Sequence, residues 1–392
     1  MQGLMLKQGS ALDRYFKISE RGSDVSREIR GGFATFFAMS YIVVLNPLIL
    51  SGPDSTGATL GFPAVAAVTA FVAGILTILM GAWAKHPFAL ATGLGVNAFV
   101  AVTVATNPGL TWPDMMGLVV LSGITMLILV LTGFRTAVFK AVPEGLKTAI
   151  VVGIGLFIAL IGLVNAGFVR RIPDVAGTTV PVGLGFDGKL LGWPTFVFVF
   201  GLVLTIALVV RKVKGAILIG IVASTVLSVI LESILHIGPS FDGKNHNPQG
   251  WSLVAPTFSE WAAPDLSLIG KANPFGAFEH LGFVAATLLA FVILLSIFFD
   301  AMGTMVGLAT EAGTIDKDGN IPNVDRVLQV DALGAIIGGG ASVSSNQIYV
   351  ESGAGIGEGA RTGLASVVTG LLFLVAMFFT PLINLVPFEA VA

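Results

Sequence analysis

The sequence predicts an all-α polytopic membrane protein in which two crossings are broken by short extended strands. Three observations predict it. Hydrophobic residues make up 55% of the chain and charged residues 11%, with a mean hydropathy of +0.91. A soluble domain carries about 25% charged residues, so this surface is too poor in charge to face water. Apolar runs of roughly 20 residues recur, the length that spans a bilayer as helix. Two further segments are apolar but interrupted by glycine and polar side chains. Such backbone is tolerated at membrane depth only where it is buried in protein or lines a cavity.

The first 30 residues hold no apolar core long enough for a cleaved signal, so the first crossing, 31–50, acts as the insertion signal. Pro47 and "SGPDSTG" are expected to end it. The next crossings are 62–83, the interrupted 87–105, 115–133 and 145–164. A Gly- and Pro-rich loop at 166–190 leads to 191–210 and 215–235. A second polar loop, 237–276, carries Trp251 and Trp261, which are expected to rest at the membrane interface. Then follow 281–308, 330–340, the short 343–359, and 363–385, which makes eleven crossings.

Charge orients this layout. With the N-terminus inside, 16 of the 21 Lys and Arg residues fall on the inner side. Only Arg170, Arg171, Lys189, Lys244 and Lys271 fall outside. That bias predicts a cytoplasmic N-terminus, and the alternation holds only if both interrupted segments cross fully.

Several function classes drop out. A net charge of −2 without a basic tract gives no reason to expect nucleic acid. The absence of cysteine excludes disulfides, thiolate metal sites and thiol catalysis. His86, His236, His246 and His280 are scattered without metal-ligand spacing, and no hydrolase order of Ser, His and Asp stands out. "GAGIGEG" lacks the Lys-Ser/Thr of a phosphate loop. No enzyme, metal or cofactor is expected.

The interrupted segments echo each other. "HPFALATGLGVNAFVAVTV" and "SSNQIYVESGAGIGEG" each open with a β-tolerant piece and continue with a small residue and Gly-x-Gly: Gly93 and Gly95 in one, Gly353 and Gly355 in the other. Paired Gly-interrupted crossings are the best sequence pointer to a transporter site. A helix that breaks at mid-membrane frees backbone amides, and its positive dipole end can face a polar ligand. The bland alternative is that glycine only permits close helix packing. Gly357 and Gly359 are assigned to packing, as are Gly153, Gly155 and Gly338–Gly340.

An ionisable side chain within a crossing costs about 2.5–3.5 kcal/mol on insertion scales, so it is read as functional by default. Glu351 stands at the break of the later segment, between Val350 and Ser352. As a carboxylate it can accept the N–H groups of a neutral heterocycle, or it can carry a proton. Its structural alternative is an N-cap of the following half-helix. Asp300 ends the apolar run "ATLLAFVILLSIFFD" and is a second proton or substrate carboxylate; Asn97 is a ligand or an interhelical brace. Asp331 leans structural. Glu358 and Arg361 are read as a surface pair.

These residues carry a family resemblance. "LDRYFKISERGSDVSREIRGGFATFFAMSYIVVLNPLIL", "PFALATGLGVNAF", "FFDAMGTMVGLATEAG" and "YVESGAGIGEGARTGLASVVTGLLFL" resemble, in order, segments of the azaguanine-type purine permeases. These form the hypoxanthine/guanine/adenine branch of the nucleobase–cation symporter, or nucleobase–ascorbate, family. The resemblance implies two inverted seven-helix repeats with core and gate domains, short antiparallel strands in spans 3 and 10, and a substrate site at the core–gate boundary. The implied organisation is an N-terminal segment 1–30, core halves 31–133 and 277–385, a first gate half 134–236, an extracellular loop 237–276 and the start of a second gate half at 386–392. It also implies purine uptake with protons, homodimers and a plasma (inner) membrane location. Asn97, Asp300 and Glu351 match positions tied to purine binding or proton coupling. Gly93, Gly95, Val350, Ser352 and Gly353 complete the expected substrate site.

There are two departures. The branch commonly shows Asp-x-x-Asp in span 8, where Ile297 stands at the first position here. Three helices of the second gate half are expected beyond residue 392, so eleven of fourteen are present. The leading expectation is a proton-coupled purine importer. Its rivals are an anion transporter of the sulfate/bicarbonate type and a non-transporting receptor or scaffold fragment.

Overall fold

The computed structural model describes residues 11–133, 162–164, 166–171, 182–185, 188–211, 216–240, 249–252, 263–315, 321–379 and 385–391, with single positions between them. Most of the crossing expected at 145–164 lies outside these residues, as do Gly153, Gly155 and Trp261.

The chain opens with α1 (Ala11–Phe16) and α2 (Val25–Met39). Asp24 caps α2 by accepting the amide of Arg27 at 2.9 Å. After a break at Ser40–Tyr41 comes α3 (Ile42–Leu50). Pro47 stands inside α3 rather than ending the crossing. A membrane helix tolerates an internal proline where neighbouring elements and local adjustment re-satisfy the freed carbonyl. The helix α4 (Phe62–Leu79) ends in a π turn, Met80–Ala84, capped by Lys85 in the left-handed region. It leads to β1 (Leu90–Thr92) and α5 (Leu94–Thr106). Thr111 and Asp114 form a capping box that starts α6 (Trp112–Leu131). Then follow β2 (Val169–Arg171), β3 (Val182–Leu184), α7 (Trp193–Val210) and α8 (Ala216–Leu235). The chain continues with α9 (Gly276–Leu281), α10 (Phe283–Glu311), α11 (Val324–Gly340) and β4 (Asn346–Ile348). It closes with α12 (Ser352–Gly357), α13 (Gly363–Ala376) and α14 (Phe388–Val391).

Among the described residues, five helical stretches are long and apolar enough to cross a membrane: Val25–Leu50, Phe62–Ala84, Trp112–Leu131, Trp193–Val210 and Phe283–Glu311. Leu94–Thr106, Ile219–Leu235 and Gly363–Phe379 are shorter apolar helices. The two interrupted segments are each a three-residue strand followed by a helix, and the strands pair antiparallel with Leu90 opposite Ile348 and Thr92 opposite Asn346.

The chain divides into two compact units. The larger, Met1–Gly153 with Ala263–Thr380, contains the β1–β4 pair and a continuous apolar core that includes Leu76, Met80, Phe88, Leu90, Val327 and Ile348. Lipid is as apolar as leucine, so its helices associate through close packing at small residues rather than through a hydrophobic drive. At the crossing of α2 and α12, a Cβ on Gly31 would stand 2.9 Å from the carbonyl oxygen of Gly355.

The smaller unit, Ile154–Ala262 with Pro381–Ala392, holds α7, α8, α14 and a β2–β3 hairpin within a loop that the sequence left without structure. Trp251 corrects the interfacial expectation, for it is fully buried. Its indole N–H donates to Glu232 at 2.7 Å, and a half-buried carboxylate in the last turn of α8 needs such donors. That bond draws the ring inward.

Candidate functional site

The strand pair is held at both edges. The Thr77 hydroxyl accepts the Leu90 amide at 2.9 Å and donates to the Leu90 carbonyl at 3.1 Å. The Gly93 amide donates to Ser345, and the Tyr349 amide donates to Ala89, both at 2.9 Å. Ser352 ties the segments together, because its hydroxyl accepts the Ala89 amide at 2.9 Å and donates to the Tyr349 carbonyl at 2.7 Å. Ser352 is fully buried and its donor is spent on backbone.

Glu351 is half-buried and does not cap α12 with its side chain. It accepts the Tyr41 hydroxyl at 2.6 Å on Oε1. The break between α2 and α3 places Tyr41 there. Asp300, also half-buried, lies on α10 within electrostatic reach of Asp331 and Glu351. Tyr349 packs beside the same carboxylates and donates its hydroxyl to the Thr92 carbonyl at 2.7 Å. The structure therefore gathers Glu351, Asp300 and the strand pair, with Asp331 within electrostatic reach of Asp300.

Asn97 is placed differently. It is fully buried, and its amide donates to Asn46, which donates to Thr69 at 2.7 Å; Thr69 in turn donates to the Val65 carbonyl at 2.6 Å. This relay braces α5 against α3 and α4, while Asn97 Oδ1 has no partner among the described residues.

The two breaks also differ in their backbone. The amides of Ser352, Gly353 and Ala354 donate to the carbonyls of Tyr349, Val350 and Glu351, so the start of α12 has no free amides to offer. Three- and four-residue turns tighten this end and satisfy it internally. The amides of Leu94, Gly95 and Val96 at the start of α5 have no partner among the described residues, and Gly95 is half-buried. The glycines separate as well. A Cβ on Gly93 would land on the side-chain oxygen of Gln347, and one on Gly355 would land on Gly31 and Thr35. Gly355 is thus a packing residue of α12 on α2. Gly357, expected to pack, is exposed and faces open space. A Cβ on Gly353 would meet only the carboxylate of Glu311, at 2.9 Å. Val350 is 67% exposed. Arg361 does not form the expected surface pair. Its guanidinium donates to the Ile356 and Ala360 carbonyls at 2.7 Å, and its amide donates to buried Glu28 at 2.8 Å.

Residues outside the expected set also line the strand pair. Gln347 is buried over Gly93, and neither its Oε1 nor its Nε2 has a partner among the described residues. The same holds for Thr92 Oγ1, Ser345 Oγ and Asn346 Oδ1. Each buried polar group left unsatisfied costs about 1–3 kcal/mol. A cluster of them, both donors and acceptors, suits a neutral polar ligand. The signal was present in "NQIYVE", where Gln347 and Tyr349 share one face of an extended piece at a period of two, with Glu351 next in the series.

Residues 26–391 match the Permease family of xanthine/uracil permeases. A Methanocaldococcus jannaschii chain named as a permease without a stated substrate is 37% identical over 97% of this chain and 79% of its own length. The guanine/hypoxanthine permease PbuG of Bacillus subtilis is 33% identical over 95% of this chain and 79% of its own length. The adenine permease AdeP of Escherichia coli is 34% identical over 97% and 78%. Among solved structures, the transmembrane domain of the cyanobacterial bicarbonate transporter BicA superposes with a TM-score of 0.63 at 16% identity, covering 94% of this chain and 86% of that one. That likeness concerns the fold.

Proposed function

Because the chain belongs to the xanthine/uracil permease family, and is a membrane permease rather than an enzyme, we propose that it imports purine nucleobases by proton symport with alternating access. The observation that carries the reading is that one strand–helix segment holds both the half-buried carboxylate of Glu351 and the unsatisfied amide of Gln347. A purine edge alternates N–H donors with ring and carbonyl acceptors. Glu351 accepts from the donors, and Gln347 and the open amides of Leu94–Val96 complete the pattern. Asp300 and Glu351 carry the coupling proton; a proton taken up on either carboxylate is felt by the other. Asn97 acts through its relay, which holds the start of α5 in place. Homologues named for guanine, hypoxanthine and adenine support this substrate class. The membrane is proposed to be the plasma membrane, with the N-terminus inside and the protein a homodimer.

The fold shared with a bicarbonate transporter keeps an anion reading in view. A carboxylate at the site repels anions and disfavours it. Competition decides between the two. Unlabelled purines, and not sulfate or bicarbonate, are expected to displace labelled hypoxanthine from the purified protein. Displacement by the inorganic anions alone would reverse the assignment.

A further inference from the structure

A cavity of about 580 Å³ lies within the larger unit, apart from the strand pair. Lys17, Arg21, Lys85, Arg326 and Arg361 line it, with Glu20 the one carboxylate among its lining residues. Glu20 is largely exposed and paired with Lys17 at 3.1 Å. The three guanidinium groups are anchored by carbonyls instead. Arg21 donates to Lys85 at 2.7 Å and Arg361 at 3.1 Å, Arg361 donates to Ile356 and Ala360, and Arg326 donates to Trp83 at 3.4 Å. Each anchoring uses one nitrogen of a fork that carries five N–H donors. Among the described residues none of the three has a carboxylate within ion-pair distance. Burial lowers the pKa of Arg21, against the opposing influence of Glu20 and Glu28, so its charge is held partly away from water.

Six described non-glycine residues have positive φ, and three of them, Lys17 (59°), Lys85 (62°) and Asn323 (56°), line this one cavity. They come from three separate segments. All three stand at helix ends, for Lys17 follows α1, Lys85 caps the π turn after α4 and Asn323 is the N-cap of α11, so the cavity lies where these ends meet.

We propose that this cavity is a second ligand site, which binds an anionic phosphate ester carried on a small organic group. Arginine forks match phosphate oxygens two at a time, and the unpaired positive charge supplies the attraction. The volume exceeds that of phosphate alone and falls within the roughly 300–1,000 Å³ of small-molecule sites. A soluble sugar phosphate and a phospholipid headgroup present the same chemistry. On the charge-based orientation the cavity opens on the cytoplasmic side, where both occur.

The test uses the purified full chain and reads thermal stability and equilibrium binding. Ribose 5-phosphate, which has no base to compete for the purine site, is compared with ribose. Phosphatidylglycerol vesicles are compared with phosphatidylcholine vesicles. One probe with net negative charge is expected to stabilise the protein where its counterpart without net charge does not. Lys17→Gln with Arg326→Gln is expected to weaken that response about tenfold or more. Arg326→Lys should restore part of it, and adenine binding should stay unchanged throughout. A ribose 5-phosphate response identifies a soluble ligand, and a response to phosphatidylglycerol alone identifies a lipid headgroup. No response to either probe, or one that survives the double substitution, overturns the site. Neither result bears on the purine assignment, which adenine binding reads separately.

Discussion

The Tyr41 hydroxyl donates a 2.6 Å hydrogen bond to Glu351 Oε1, joining residues 310 apart in sequence. The bond depends on the break between α2 and α3, which turns Tyr41 towards the later strand–helix segment. On the proposed site it orients the carboxylate without itself contacting the purine, which would make Tyr41 a positioning residue. A hydrogen bond to a charged group contributes about 1.5–3 kcal/mol. Tyr41→Phe should therefore lower Tm and, by freeing the carboxylate from its fixed position, weaken purine binding by about tenfold or more. It should also shift the pH profile of uptake, which a merely structural role would leave alone.

Gly93 tests the role of Gln347. A methyl group there meets the Gln347 amide oxygen and must displace that side chain. Gly93→Ala should destabilise by about 1–3 kcal/mol, as overpacking does, and abolish saturable purine binding. Gln347→Ala should lose binding while gaining stability or leaving it unchanged, because it removes a buried amide without partners. Loss of stability with binding retained would argue that Gln347 serves packing.

The Asn97–Asn46–Thr69 relay predicts non-additivity. Asn97→Ala leaves the Asn46 carbonyl buried and unpaired, at a cost of about 1–3 kcal/mol. Asn46→Ala should cost a similar amount, and the double variant should cost clearly less than the sum of the two. Thermal unfolding of the four proteins in one detergent measures the coupling. Additive losses would mean the two amides do not act together.

Asp54, in the loop between α3 and α4, gives a pH prediction. It is buried and accepts the Thr56 amide at 2.9 Å, the Thr56 hydroxyl at 2.7 Å, and the amides of Ala58 and Trp112 at 3.0 and 3.2 Å. Burial alone would raise its pKa, but these bonds to the charged form outweigh it and the value is lowered. A carboxylate with a depressed folded pKa contributes stability above its unfolded value, about 3.9, and loses it as pH falls through the folded value. Asp54→Asn should therefore lower Tm at pH 7, and the gap from wild type should close below about pH 4. A gap that stays constant down to acid pH would remove the charged hydrogen bonds from the account.

Much of this was legible in the sequence, because lipid imposes one-dimensional rules. Apolar length marks crossings, and paired glycine breaks at Gly93–Gly95 and Gly353–Gly355 located the strand pair. The remainder needed three dimensions. Nothing local to Tyr41 reveals that it reaches Glu351, since the contact is set by how α2 and α3 meet α12. Gly353 and Gly355 look alike in sequence, yet only the packing of α12 on Gly31 separates them. Asn97 shows the same limit. A polar residue in a broken crossing reads as ligand or brace, and that its amide donates to Asn46 is set by other helices. Gln347 was the signal open to a closer reading, because it falls in register with Tyr349 and Glu351.

The most direct test is uptake of labelled adenine, guanine and hypoxanthine by proteoliposomes under an inward proton gradient, comparing wild type with Glu351→Gln. Wild type is expected to accumulate at least one of the three bases saturably, and to stop when the gradient is collapsed. Glu351→Gln is expected to lose accumulation while remaining folded. Saturable, gradient-driven uptake that persists in Glu351→Gln would contradict the assigned site, and absence of purine uptake by the wild type would contradict the function.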